Sequence, residues 1–329
     1  MAGESFREIW QIAKEATYGT IVPATRQLSG DPSGHLNRTR ANHEIRVSTG
    51  TRDNVRGNKP RAVTAGGAFS QAFDADEIIE LFLAAIQGGV TPTTALGAST
   101  WVFTPSTTLD SQVWEWFDGY NGWVESGVYI DTLKFSWSAA ANGDTKVEAT
   151  LFGKDRVPQT ITAALTTRSP IWMEGWETLV YLDALGGTAG TTLFGKAISG
   201  TLTLTNKLGR KYFANNTLAT AAVPFGEFGC SGDLIIEADT AGMVEYTNWD
   251  SSIDRLIRLS HGNNGAVLGT STLKRVINHD IPCTWTAFDL GALDAGTRVL
   301  KGSFNYKYDA TNAFSYKATV VSSRAAAYV

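Results

Sequence analysis

Cysteine, histidine and charge are the scarce commodities of this chain. Its 329 residues hold two cysteines, Cys230 and Cys283, too few to staple a chain of this size, so a disulfide scaffold is excluded and reduced, buried thiols are expected. The four histidines, His35, His43, His261 and His279, offer no close ligand pair with each other or with the cysteines. A zinc set drawn from Cys230, His261, His279 and Cys283 is therefore set aside, and structural roles are expected for all four. Charged residues make up 18% and the formal net charge is −4, so tight nucleic-acid binding by counterion release is not indicated. So thin a coat of charge fits either a Thr/Ser/Asn-rich β surface or a chain that buries surface against copies of itself. No apolar run approaches the length of a membrane span, so no membrane insertion is expected. The opening MAGESFREIWQIAKEATYG lacks a signal-peptide core, which points to a cytoplasmic origin.

Catalytic signatures are missing too. There is no G-x-S-x-G elbow, H-E-x-x-H or C-x-x-C, and the glycine-rich GNNGAVLG at 262–269 is followed by no Lys-Ser/Thr. Asp233, Glu237 and Asp239 could pair as acid and base, but solvated strand faces explain them as well. Asn37 and Asn215 head formal glycosylation acceptors without a secretory signal. No enzyme, cofactor or metal is expected.

What the chain does hold is one evident helix and many strands. Residues 74–89, DADEIIELFLAAIQGG, carry Asp74 as a cap, Glu77 at capping-box spacing, and Ile78, Phe82, Ala85 and Ile86 on one face, widened by Ile79 and Leu83. Gly88 and Gly89 end it, predicting a helix over 75–87. Before it, residues 1–35 read as an arm broken by Gly19, Pro23 and the turn-rich Ser29–Gly34, liable to fray unless tied to something. Ile45 and Val47 suggest a half-buried strand, and Thr49–Gly67 reads as a long exposed loop or hairpin tip carrying Arg52, Arg56, Lys59 and Arg61. Trp114, Trp116, Tyr120 and Trp123 surround Asp118-Gly119 and Asn121-Gly122; cross-strand aromatic pairing is the favoured reading, sugar or base stacking the alternative. Leu133–Trp137 and Val147–Leu151 alternate around Asn142-Gly143 as a β-hairpin.

The halves follow one plan. Residues 197–206 are a strand, 206–229 a long loop with early basic residues Lys207, Arg210 and Lys211, and 230–239 a returning strand. A helix is predicted over 250–261, capped by Asp250, with Ile253, Leu256, Ile257 and Leu259 on its apolar side. Phe304–Tyr308 and Phe314–Val320 then alternate as a closing hairpin around Asp309–Asn312. A tandem duplication follows, with an arm at 1–35, a first β domain at 36–155, a connector with a short strand at 156–195, a second β domain at 196–323 and a tail at 324–329.

The opening WQIAKEATYGTIVPATRQL, with its E-x-x-Y-G-T phrase (Glu15, Tyr18, Gly19, Thr20), the long loop before the capped helix and the closing hairpin resemble the tail tube (major tail) proteins of long-tailed bacteriophages. That resemblance implies a mainly β (α+β) fold, a sandwich or barrel with a flanking helix, packed into rings that stack as a hollow tube for genome delivery. Two such domains per chain imply rings of three chains, pseudo-hexamers; the alternatives are hexameric rings with an accessory second half, or a carbohydrate- or receptor-binding virion protein using Trp114, Trp116 and Trp123. On this view the loops carrying Arg52, Arg56, Lys59, Arg61, Lys207, Arg210, Lys211 and Phe225 make inter-ring contacts, and Ile79, Leu83, Ile253 and Leu256 pack helices between subunits. Glu148 stands for a polar, net acidic lumen past which DNA slides without specific binding. The arm and tail would be ordered only in the tube. Expected partners are other copies and the tail tape-measure, terminator and baseplate or distal tail proteins, in a virion tail assembled in the host cytoplasm.

Overall fold

The computed structural model describes residues 7–328 apart from 49, 51, 53, 141, 142, 144, 216, 292 and 295. The turn expected at Asn142 thus lies outside the described residues. The chain is mainly β. It runs through β1 (Ile9–Lys14), β2 (Arg26–Gln27), β3 (Ser33–Arg46), β4 (Val55–Ala72), helix α1 (Ile78–Ala85), β5 (Thr93–Ala95) and β6 (Ala98–Phe103). β7 (Gln112–Phe117), β8 (Gly122–Ser138), β9 (Lys146–Gly153) and β10 (Asp155–Pro158) complete the first half. A 3-10 turn at Gly175–Glu177 leads to β11 (Leu179–Ala184), β12 (Ala197–Thr205), β13 (Gly229–Glu237) and helix α2 (Thr240–Asp250). β14 (Arg255–Val267), β15 (Lys274–Asp289), β16 (Leu293–Asp294), β17 (Thr297–Tyr306) and β18 (Lys317–Ser322) close the chain.

Every strand pairing is antiparallel, and one order of neighbours occurs twice. In the first half it runs β3, β4, β9, β8, β7, β1. In the second it runs β12, β13, β17, β15, β14, β11. A helix follows β4 and β13 alike. The register skips one residue between Ile130 and Thr132 against β9, and one between Trp285 and Ala287 against β17. When these bulges are superposed, the buried positions fall in phase: Leu36 with Leu202, Phe69 with Leu234, Val147 with Leu300 and Leu151 with Phe304. β8 pairs with β12 and β6 with β18, so the halves share one sheet system and one core.

α1 lies inside that core, with all eight of its residues buried. Asp74 Oδ1 accepts from the Asp76 and Glu77 amides at 2.7 and 3.0 Å, as a cap should. Glu77 does not reciprocate; its carboxylate accepts from Ser29 N and Oγ, both at 2.7 Å. Phe82 sits edge-on to Phe135 of β8 and to His279 of β15, so the helix is wedged between the two halves. Ile79 and Leu83 are 0% and 1% exposed, which leaves them no surface to offer another subunit.

Four expectations are corrected. No helix spans 250–261: the second helix lies earlier, capped by Asp239 onto Gly242 N (2.9 Å), and Arg255–Val267 is strand β14. Ile253 is 48% exposed in the intervening turn and Leu256 is buried in β14. Neither packs a helix. The closing segment is no hairpin, because β17 and β18 pair with β15 rather than with each other. Residues 9–14 do not fray: they pair with β7 along six registers, and Trp10 packs against Phe69, Trp114 and Trp116. The tail is also docked within one chain, Arg324 donating to Asp76 O (2.6 Å) and Glu80 Oε2 (2.9 Å).

Candidate functional site

The first candidate surface is the polar face of the continuous strip β3, β4, β9, β8, β12, β13, β17 and β15. β9 alternates exposed and buried residues, so Lys146, Glu148 and Thr150 stand on one side and Val147, Ala149 and Leu151 in the core. Across the strip, register places Ser70 beside Glu148, Glu148 beside Lys134, Lys134 beside Thr203, and Thr203 beside Ser231. Further on, Thr201 faces Asp233, which faces Ser303. Glu148 is paired with Lys134 at 2.8 Å and Asp233 with Lys301 at 3.5 Å. The face is thus hydroxyl-rich with compensated charge, rather than net acidic.

The second surface is an arm. β9 covers β4 only from Ala65 to Ala72, so β4 from Val55 to Thr64 and the facing part of β3 project with, among the described residues, no strand on either outer edge. At the usual rise the free ribbon is roughly 30 Å long. Arg52, Arg56, Lys59 and Arg61 lie exposed on it. Residues 38–61 contain seven Lys/Arg and two Asp/Glu, in a chain whose net charge is −4. A two-stranded ribbon is marginal by itself in water, and the 206–228 loop braces its base. Val63 N donates to Leu218 O (2.8 Å) and Tyr212 Oη to Val63 O (3.2 Å).

Arg210 is part of that brace. Its guanidinium lies 3.9 Å from the Phe152 ring centroid and donates to Gly153 O (2.7 Å) and Ala65 O (2.5 Å). It is committed inside the chain and is no free contact residue. Phe225 stands edge-on to Tyr129 and is partly exposed. Lys207 and Lys211 remain exposed, Lys207 within 4.0 Å of Glu227.

The E-x-x-Y-G-T phrase has a local job. Glu15 accepts from Gly19 N and Gly127 N, both at 2.7 Å, and Tyr18 stacks on Tyr129 at 5.7 Å between centroids. Gly19 (φ +73°) and Gly127 (φ +63°) both take the left-handed conformation this knot requires. Gly127 sits where β7 and β8 shift register, so the phrase secures the N-terminal strand to the sheet corner.

Sequence reasoning missed the cluster beneath the tail. Glu80 is fully buried between Arg26 (3.3 Å) and Arg324 (2.5 Å), with Tyr328 N donating at 3.0 Å. Burial alone would raise its carboxyl, but the two guanidinium charges outweigh that and hold it below the usual carboxylate range. An acid on the buried face of α1 and arginines at 26 and 324 were the available signal. These ions pair with one another, and Arg26 and Arg324 also line a cavity beside Arg168.

Among the described residues no group of three His, Cys, Asp or Glu could hold a metal, and no helix is long and apolar enough to cross a membrane. Trp114 is fully buried and Trp116 pairs with Trp123 across β7 and β8, as expected of cross-strand aromatics. The main exposed features are a large antiparallel sheet, its polar strip and a projecting ribbon. The sequence matches the phage tail tube protein family over residues 9–267, and the chain belongs to that family. No curated protein matches it. The family is structural, a virion tail component that assembles with copies of itself into the tail tube. Residues 268–329, which supply β15, β17 and β18 to the shared core, lie beyond the matched region.

Proposed function

We propose that the chain is a tandem duplication of a tube domain, and that three chains complete one ring of the tail tube as a pseudo-hexamer. The observation that carries this is the repeated order of strand pairing, with its bulge at the same place in each half. An accessory module would have no reason to repeat the β3–β4–β9–β8 pattern as β12–β13–β17–β15. The join between β8 and β12 is already a contact between two tube-type sheets, made inside one chain. Repeated between chains, it closes a ring and leaves no sheet edge free, which removes the aggregation hazard of long strands.

The polar strip then lines the channel, with Glu148, Lys134, Asp233 and the neighbouring hydroxyls facing the genome. Compensated charge gives DNA neither a basic wall to bind nor strong repulsion, so it passes without specific contacts. The basic arm reaches an adjacent ring. Its excess positive charge on a net acidic chain means that the rest of each copy is the complementary partner. Tape-measure, terminator and distal tail proteins meet the tube at its lumen and ends, and assembly takes place in the host cytoplasm.

The test is cryo-electron microscopy of tubes formed by the purified protein. Three chains per ring are expected, with six sheet units around the channel. Six chains per ring, or a chain that stays monomeric at high concentration and forms no tubes with tail partners, overturns the reading. Deleting 52–60 shortens the ribbon but should leave the rest of the chain folded, by circular dichroism, and block stacking; full-length tubes from that variant would remove the arm from the inter-ring contact.

A further inference from the structure

We infer that the join between neighbouring chains is an antiparallel pairing of β3 with the far end of β15, in one register. This rests on the three-chain reading and specifies its interface. Thr132–Ser136 of β8 have β9 on one edge, and Thr132–Ser138 have β12 on the other. The corresponding stretch of β15 begins at Ala287, after the bulge. Ala287–Asp289 have β17 on one edge, while β14 stops at Cys283, so among the described residues no strand takes the second edge.

A matching edge exists at the other end of the chain. β12 has β13 on one side and β8 on the other, whereas its counterpart β3 pairs only with β4 among the described residues. Ser33–Thr39 occupies the position of Ser199–Thr205. Transferring the Ser199–Ser138 to Thr205–Thr132 register onto these strands sets Thr39 opposite Ala287, Asn37 opposite Asp289 and Leu36 opposite Leu290.

The side chains agree with that placement. Leu133 and Phe135, under the β8–β12 join, are 1% and 2% exposed. Leu290, the counterpart of Phe135, is 44% exposed in the single chain, an apolar position still without its cover. Asn206, just past β12, donates to Ala85 O at the end of α1 and to Ile130 O, both at 2.8 Å. Arg40, within β3, holds the corresponding place, so a cation arrives at the C-terminal end of α2 beside Asp250 and Trp285 O, where helix carbonyls favour positive charge. Met243 and Val244, in the N-terminal half of α2, are exposed as well.

The experiment is cysteine cross-linking in assembled tubes, with Asn37→Cys and Asp289→Cys in one chain. The native thiols Cys230 and Cys283 are buried and give no background. A second variant, Ser33→Cys with Asp289→Cys, is four residues out of register, and circular dichroism and microscopy verify folding and tube formation for both. On oxidation the in-register pair should move most chains into covalent dimers and trimers on a denaturing gel, with nothing larger, while the off-register pair stays monomeric. Three-chain rings with no cross-link at 37 and 289, or with an equal yield from 33 and 289, overturn this strand pairing and leave the ring reading standing. A ladder that continues to six overturns the ring reading instead.

Discussion

Helices α1 and α2 follow equivalent strands, yet they live in different surroundings. Every residue of α1 is buried, whereas α2 buries only Gly242 and Glu245. The second half closes over α1 through β15 and the tail, and nothing among the described residues does the same for α2. A helix in the same place in the strand order can thus be core in one half and surface in the other, depending on whether a second sheet of the chain closes over it. A second pair teaches the same lesson in electrostatics. Glu125 on β8 and Asp280 on β15 are both buried carboxylates on corresponding strands. Asp280 takes a two-pronged contact from Arg258 (2.5 and 2.9 Å) and a third from Lys317 (3.2 Å). Glu125 has no hydrogen-bond partner, and burial pushes its carboxyl well above the usual range despite Arg156 and Arg210 nearby.

The helix comparison should give the largest effect. Phe82→Ala is expected to cost about 3–5 kcal/mol by urea unfolding of unassembled chain, against less than about 0.5 kcal/mol for Val244→Ala. Equal costs would mean that α2 is already covered. The carboxyl pair comes next. Asp280→Asn leaves two partly exposed cations without their counter-charge and should cost about 2–3 kcal/mol, while Glu125→Gln should cost less than about 1 kcal/mol. The signs with pH differ from the wild-type pattern too. A carboxyl whose folded pKa lies above its unfolded one stabilises fully below the ordinary value of 4.5 and loses that stability as pH rises toward the folded pKa. Glu125→Gln should abolish this dependence, and a denaturation series across that range reads it directly.

Acid should act on the joint between halves through two imidazoles. Burial lowers His261 to about 3 and His279 well below its ordinary value. Below pH 6.5 the unfolded chain takes up these protons and the folded chain does not. Stability therefore falls as pH drops from 6.5 toward about 3, by roughly tenfold in the folding equilibrium per unit per imidazole. A flat denaturation midpoint from pH 6 to pH 5 would show that the histidines are hydrated. The smallest effect is local: Asp239→Ala removes the α2 cap and should cost about 1 kcal/mol.

Legibility from sequence tracked how many faces of an element are covered. α1 announced itself through Asp74, its apolar face and Gly88, where an added Cβ would fall 2.5 Å from Asp110 N. The β8–β9 alternation and Trp116–Trp123 were equally readable, because one face of each is polar. β14 was misread as a helix because Leu256, Ile257 and Leu259 are buried together, which erases the period-two signal. α2 went unseen because Thr240, Gly242, Val244 and Thr247 are weak helix formers with no apolar stripe; Asp239 was the one overt clue. β1 was mistaken for a loose arm because its partner lies about a hundred residues away in β7, a separation no local pattern reports. The family resemblance carries the assembly surfaces; burial removes Ile79, Leu83 and Leu256 from them, and internal hydrogen bonds remove Arg210.

The β8–β12 join has a kinetic consequence. Because its two strands belong to one chain, that seam forms at the effective concentration of a tethered pair, of order millimolar or above, whatever the protein concentration. In a three-chain ring, permanent seams alternate with reversible ones. Closing the ring takes three encounters rather than six, and dilution or denaturant should release material only in two-sheet units.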